Sequence, residues 1–255
     1  MKTKVTKKKI ILFLIIFLII LLLVLLIINR NKIEYFNTKK IGIVSWSDEQ
    51  ISNYANLSEK INKKYCIENN IDYIHSHKRY FKDRTPHWEK VNLVLNTLKT
   101  NQYEYVMWID ADAHFNLNVK YKKLLQYLDD NKKTDIIFAA DEKKSNRPIC
   151  TGVFIVKNTD YSKNILDKWK NNKECIHLYK THFHEQECIT DMYNKNFLNL
   201  KSHSVIIPHE QLQIFPQQWE DSNNTSIILH YAGWPSDYKI KQLKQYITNF
   251  NIDTL

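Results

Sequence analysis

From residue 41 onward, short apolar runs alternate with segments whose apolar residues recur at helical spacing, and that alternation restricts the chain to one broad architecture. The runs IGIVSW (41–46), IDYIHS (71–76), EYVMWI (104–109), DIIFAA (135–140), GVFIVK (152–157), SVIIP (204–208) and SIILHY (226–231) read as strands. Residues 50–69, the segment after Pro86, and residues 119–130, 161–172, 184–195 and 237–249 read as helices. In the first of these, Ile51, Tyr54, Leu57, Ile61 and Tyr65 share one face. The pattern predicts an α/β sandwich with a mostly parallel sheet. Its central strands read as continuous apolar runs, as strands covered on both faces must.

Residues 10–28, IILFLIIFLIILLLVLLII, are 19 apolar residues without a break. At about 1.5 Å per residue such a helix extends ~28 Å, close to the hydrocarbon thickness of a bilayer. Asn29-Arg30-Asn31-Lys32 follows, not a small-residue cleavage site, so an uncleaved anchor is expected. Lys2, Lys4, Lys7, Lys8 and Lys9 precede the run and place the N-terminus in the cytoplasm. The expected organisation is a cytoplasmic tail (1–9), a transmembrane anchor (10–28), a short stem (29–40) and one lumenal domain (41–255).

The formal net charge of +10 belongs mainly to the membrane flanks. Residues 1–40 carry nine Lys or Arg against one acid, and residues 41–255 carry 28 against 26. The main domain has no charge excess to drive phosphate-backbone binding, so nucleic acid is not expected as a partner. Cys66, Cys150, Cys175 and Cys188 match no zinc-site spacing. They permit disulfides in a lumenal domain, or buried free thiols. Sequons stand at Asn56, Asn223 and Asn224.

The run YVMWIDADAHF (105–115) drives an apolar strand into Asp110 and Asp112. In open α/β sheets ligands bind at the carboxyl ends of strands. Residues i and i+2 of a strand share a side, so the two carboxylates are expected to converge with Ala111 facing away. Adjacent carboxylates repel unless a cation lies between them, and a divalent ion favouring oxygen ligands, Mn²⁺ or Mg²⁺, fits that need. His230, at the end of SIILH, is a candidate third ligand. The chain has only three glycines. Gly152 and Gly233 both lie at element ends, where backbone can approach a ligand.

Together these pieces resemble a glycosyltransferase of the nucleotide-diphospho-sugar (GT-A) fold, and more narrowly the galactosyl-, mannosyl- and xylosyltransferases of glycosyltransferase family 34. HWEKVNLVLNTL resembles the family's Lys-bearing helix, YVMWIDADAHF its Trp-x-Asp-x-Asp-Ala segment, and TGVFIVKNTDYSKNILDKW its Thr-Gly-x-Phe strand with the helix ending in Trp. HEQECITDMY resembles its acidic-Gln helix and HYAGW its late His-aromatic-x-Gly. The resemblance implies a Rossmann-like mixed sheet flanked by helices. It also implies a retaining, metal-dependent transferase that uses a UDP- or GDP-sugar donor and a glycan, glycoprotein or lipid acceptor. Asp110, Asp112 and His230 would hold Mn²⁺ or Mg²⁺. Gln186, with Glu185 beside it, would lie near the anomeric carbon. Lys90, Trp108, Thr151, Gly152, Gly233 and Trp234 would line the donor site. A type II signal-anchor protein of the Golgi or endoplasmic reticulum fits the same resemblance. The chain departs from the family at Cys150, where Asn is usual, at His184, where an acid is usual, and at Trp234, where Cys is usual.

Two other classes use similar residues. A membrane-anchored metal-dependent phosphoester hydrolase would draw on Asp110, Asp112 and His114. A catalytically inactive carbohydrate- or partner-binding domain would keep the fold without turnover.

Overall fold

The computed structural model describes residues 12–26, 40–141, 147–181, 184–219 and 225–252. The chain divides into two units, Met1–Lys39 and Lys40–Leu255. In the first, residues 12–26 are helical and exposed. No helix among the described residues is long and apolar enough to cross a membrane. Residues 10, 11, 27 and 28 of the expected anchor lie outside the described residues, as do the expected tail and residues 29–39 of the stem.

The second unit runs β1 (Ile41–Trp46), α1 (Ser52–Glu68), β2 (Asp72–Ser76), α2 (Glu89–Lys99), β3 (Tyr105–Ile109), β4 (Ala113–Phe115), α3 (Tyr121–Asp130) and β5 (Ile136–Ala140). It continues with β6 (Ile149–Lys157), α4 (Asp160–Lys170), α5 (His184–Asn194), β7 (Ser204–Ile207), β8 (Gln213–Ile214), β9 (Ile228–His230) and α6 (Ser236–Asn249), with short helical turns between. The main sheet has the order β2-β1-β3-β6-β5-β7. Strands β2, β1 and β3 are mutually parallel, as are β5 and β7, while β6 runs antiparallel to both its neighbours. Five of the six strands therefore run the same way, as expected of a mostly parallel sheet, and the reversed β6 makes it mixed. The physical reason is the connection: only residues 141–148 separate β5 from β6, whereas a parallel crossover needs about a dozen or more residues.

A second, three-stranded sheet has the order β4-β9-β8. The expected strand at 226–231 lies here, shortened to β9 and outside the main sheet. Among the described residues, helix ends reveal how a chain with three glycines turns. Asn70, Asn101, Asn196, Asn199 and Asn251 all adopt positive φ, the left-handed conformation that Asn tolerates better than other non-glycine residues.

Apolar residues of α2, α4 and α5 pack on Val44, Val106, Phe138 and Phe154 of the sheet, with Trp88 and Trp169 fully buried among them. A second cluster joins α1 to α6 through Tyr54, Ile61, Leu243 and Ile247, with Tyr231 between. Of the four cysteines, Cys175 and Cys188 form a disulfide that ties α5 to the turn before it. Cys66 and Cys150 are free and buried. The Asn56 sequon lies within α1, its Asn exposed and its Ser58 buried; those at Asn223 and Asn224 lie outside the described residues.

Candidate active site

Strand β3 stops at Ile109 because the chain turns there. The Ala113 N–H donates to Asp110 O at 3.0 Å. A turn, not strand alternation, thus brings Asp110 and Asp112 together, and Ala111 lines the adjoining cleft instead of facing away. The antiparallel pairing of β4 with β9 sets Ala113 opposite His230, and the Tyr231 N–H donates to Asp112 O at 2.9 Å. His230 Nε2 lies 3.3 Å from Asp112 Oδ1 and 3.9 Å from Asp110 Oδ2. One ligand atom from each of the three groups falls within 4.8 Å of the others.

Two neighbours orient the imidazole. Gln213 Oε1 accepts from His230 Nδ1 at 3.0 Å, which leaves Nε2 facing the aspartates; a partner on the far ring nitrogen is how histidine ligands are usually held. Gly152 provides the space, because a β-carbon there would lie 2.1 Å from His230 Cε1. Burial opposes a charged ring, yet Asp112 and Cys150 push His230 up to about 10. Burial likewise opposes the Asp112 charge, but His230 and Lys239 hold its carboxyl well below the usual range. Two carboxylates and an imidazole suit an oxygen-favouring divalent ion such as Mn²⁺. Such an ion would compete with a proton for His230 Nε2.

Beside this cluster lies a second buried network. Lys90 is 3% exposed, not a surface residue. Its Nζ sits 3.0 Å from Asp110 Oδ1, 2.9 Å from Glu185 Oε1 and 3.2 Å from Thr151 O. Burial disfavours its ammonium, but Asp110 and Glu185 more than offset that and raise it above the ordinary lysine value. Glu185 also accepts from Thr151 Oγ1 at 2.9 Å. Gln186 Oε1 accepts from the Thr151 N–H at 3.1 Å, and its Nε2 donates to Asp141 Oδ2 at 3.3 Å. The Trp169 indole donates to Glu185 O at 2.9 Å, fixing the first turn of α5 against α4.

Trp108 is buried and donates Nε1–H to Asp110 Oδ1 at 2.7 Å. Gly233 has φ +74, which explains a glycine there. Trp234 stacks on Tyr238 at 4.3 Å and donates to Gln217 Oε1. His184, at positive φ, hydrogen-bonds Thr85 Oγ1 and stacks on His87 at 3.8 Å. His114 does not join the aspartates: it is fully buried, donates Nδ1–H to Phe115 O, and is pushed down to about 4 by burial. The hydrolase alternative thereby loses its third local ligand.

The network floors a cleft of about 330 Å³ whose lining includes Trp46, Asp48, Tyr54, His87, Lys90 and Asp110. Two participants carried no clear signal in the sequence. Lys239 is 7% exposed and donates to Asp112 Oδ2 at 2.6 Å, but in DYKIKQLKQ it stands among other lysines. Gln213 belongs to a strand of two residues, too short to read as one.

A mixed sheet with flanking helices and an acidic pair at its edge defines a GT-A-like glycosyltransferase fold. The chain belongs to the nucleotide-diphospho-sugar transferase family, whose model matches residues 47–243. Among curated relatives, Glycosyltransferase 6 of Arabidopsis thaliana is 28% identical over 120 residues, covering 42% of this chain and 27% of that protein. Xyloglucan 6-xylosyltransferase 4 of the same plant is 26% identical over 128 residues, covering 48% and 24%. The chain thus spans about a quarter of the length of these relatives. A glycosyltransferase involved in glycosylation of the major capsid of PBCV-1 superposes with a TM-score of 0.68 at 15% identity, over 80% of this chain and 98% of that one. The glycosyltransferase GlyE of Streptococcus pneumoniae TIGR4 gives 0.52 at 12% identity, over 84% and 64%. Both structures share the fold.

Proposed function

We propose that this chain is a metal-dependent glycosyltransferase of the family-34 kind. It transfers a hexose or pentose from a UDP- or GDP-sugar to a glycan, glycoprotein or lipid acceptor with retention of configuration. Residues 10–28 anchor it as a type II protein in a Golgi or endoplasmic reticulum membrane, with the catalytic domain lumenal. The single observation carrying this reading is the convergence of Asp110, Asp112 and His230, from β3's end and from β9, beside the Lys90–Glu185–Thr151 network.

In this reading Asp110, Asp112 and His230 hold Mn²⁺ or Mg²⁺. When bound, the ion neutralises charge on the diphosphate of the departing nucleotide. Lys90 and Trp108 both hold Asp110 Oδ1 and orient that carboxylate. Thr151 and Gly152 border the sugar, and Glu185 and Gln186 hold Thr151 in place while Gln186 faces the reacting carbon. Gly233 and Trp234 border the outer edge of the donor site. The xyloglucan xylosyltransferase relative supports including a pentose among the donors.

The test uses the full chain in detergent with Mn²⁺ and a panel of UDP- and GDP-sugars, including UDP-xylose, and follows nucleoside-diphosphate release. Release from one donor, abolished by chelator and in Asp112→Ala, is expected. Absence of both release and donor binding would move the assignment to an inactive binding domain.

A further inference from the structure

We propose that Lys239 is a built-in cation that keeps a lone divalent ion off Asp112, so that the ion and the nucleotide diphosphate load together. The proposal rests on the donor-site reading above and concerns how that site fills.

Lys239 Nζ lies 2.6 Å from Asp112 Oδ2, with its side chain 9% and that of Asp112 15% exposed. The ammonium therefore already occupies one edge of the carboxylate that an ion would need. Lys90 does the same for Asp110 and Glu185, at 3.0 and 2.9 Å. With an ion bound on an uncharged His230, three carboxylates face two ammoniums and the divalent ion, an excess of one positive charge. When the ion enters alone, that excess lies within a few ångströms of a buried ammonium. Charges so placed are only partly hydrated and weakly screened, and the excess is unfavourable unless an anion arrives with it.

The diphosphate is that anion, and the structure provides for the displaced ammonium. Lys239 lies over the Tyr54 ring, its Nζ 4.7 Å from the centroid. The same ring lines the cleft. An aromatic face is a favourable place for a desolvated cation. Lys239 can thus leave Asp112 by rotating its stem along Tyr54, toward the cleft in which the donor-site reading puts the diphosphate. The predicted thermodynamic signature is coupling: nucleotide tightens the ion, and by linkage the ion tightens nucleotide by the same factor.

Calorimetric titration of the full chain in detergent with MnCl₂, alone and with saturating UDP, tests this. In the unaltered protein, UDP is expected to tighten Mn²⁺ by about tenfold or more. In Lys239→Met, Mn²⁺ alone is expected to bind about tenfold tighter than in the unaltered protein, and the UDP effect to shrink to about threefold or less. Lys239→Gln repeats the measurement should the methionine variant melt before unfolding can be separated from binding. If the unaltered protein binds Mn²⁺ equally well with and without UDP, the proposal is overturned with no variant needed. If both proteins bind Mn²⁺ and UDP with the same coupling, the Lys239 proposal falls and the donor-site reading stands. If neither protein binds either ligand, the donor-site reading falls and takes this proposal with it.

Discussion

Gly152 and His230 compete for one volume: a β-carbon on Gly152 would stand 2.1 Å from His230 Cε1 and 2.9 Å from Nδ1. Both atoms belong to a ring that is 2% exposed and hydrogen-bonded to Gln213, so the ring has no free space to retreat into. Gly152, inside β6 rather than at its start as the sequence suggested, is therefore part of the candidate metal site, although it offers no ligand.

Gly152→Ala is accordingly expected to displace the imidazole. Overpacking of this kind costs about 1–3 kcal/mol of stability. Loss of the ring's supported orientation is expected to weaken Mn²⁺ by about 10- to 100-fold. Calorimetry on Gly152→Ala, His230→Ala and the double variant checks this. The double variant should lose little more than either single one, and fully additive losses would show that Gly152 acts elsewhere.

Lys90 supports two carboxylates at once. Its removal leaves Glu185, whose side chain is 3% exposed, with a buried charge and no ammonium. Breaking such a pair from one side costs about 3–5 kcal/mol. Lys90→Met is expected to melt far below the unaltered protein, and Lys90→Met with Glu185→Gln to recover part of the loss. A melting temperature that the second change does not raise would show the pair to be uncoupled.

The same pair sets an acid limit. Burial raises the Glu185 carboxyl, but Lys90 and then His87 overcome this and hold it below its ordinary value. A depressed carboxyl contributes stability above its unfolded pKa, roughly 4.3, and loses it as pH falls through the folded value. Unfolding free energy measured between about pH 3 and 6 should therefore fall less steeply on the acid side in Glu185→Gln than in the unaltered protein. Parallel curves would remove Glu185 from the acid transition.

Much of this was legible beforehand, for identifiable reasons. The central strands are apolar on both faces, so EYVMWI and GVFIVK could be read directly, and an aspartate pair following such a strand falls at a sheet edge. The direction of β6 was not legible, because periodicity carries no polarity; the eight-residue span 141–148 was the available clue. The turn at Asp110 hid for a similar reason, since Asp-Ala-Asp fits an extended chain as well as a turn. Lys239 and Gln213 reach the site only through packing between elements distant in sequence, which no local pattern encodes. Lys90 lay in a recognised motif, but its burial depends on Glu185, about a hundred residues later.

The disulfide gives a prediction about stability and thiol labelling. Cys175 and Cys188 are separated by 13 residues, and closing a loop of that size stabilises a fold by about 3 kcal/mol. Reduction is expected to lower the denaturation midpoint accordingly. Cys66 and Cys150 are buried, and burial together with Asp72 pushes the Cys66 thiol up to about 12. A thiol probe at pH 8 should therefore label neither in the folded, unreduced protein and both after unfolding. Labelling of four thiols after unfolding without reductant would disprove the disulfide.

Gln186→Ala offers a test that separates binding from chemistry. Gln186 touches no member of the metal cluster; its Oε1 receives the Thr151 N–H and its Nε2 reaches Asp141. Thr151 stays held by Glu185 when Gln186 is truncated, so the donor pocket should survive the loss. If Gln186 faces the anomeric carbon, its contribution is to the transition state, and an interaction made there lowers kcat without raising KM when removed. Gln186→Ala is expected to reduce kcat by roughly 100-fold, with donor KM and UDP affinity changed less than about threefold. Steady-state kinetics with the donor found in the release assay, alongside UDP calorimetry, makes the comparison. A rise in donor KM at constant kcat would place Gln186 in uniform binding of the nucleotide-sugar, away from the reacting carbon.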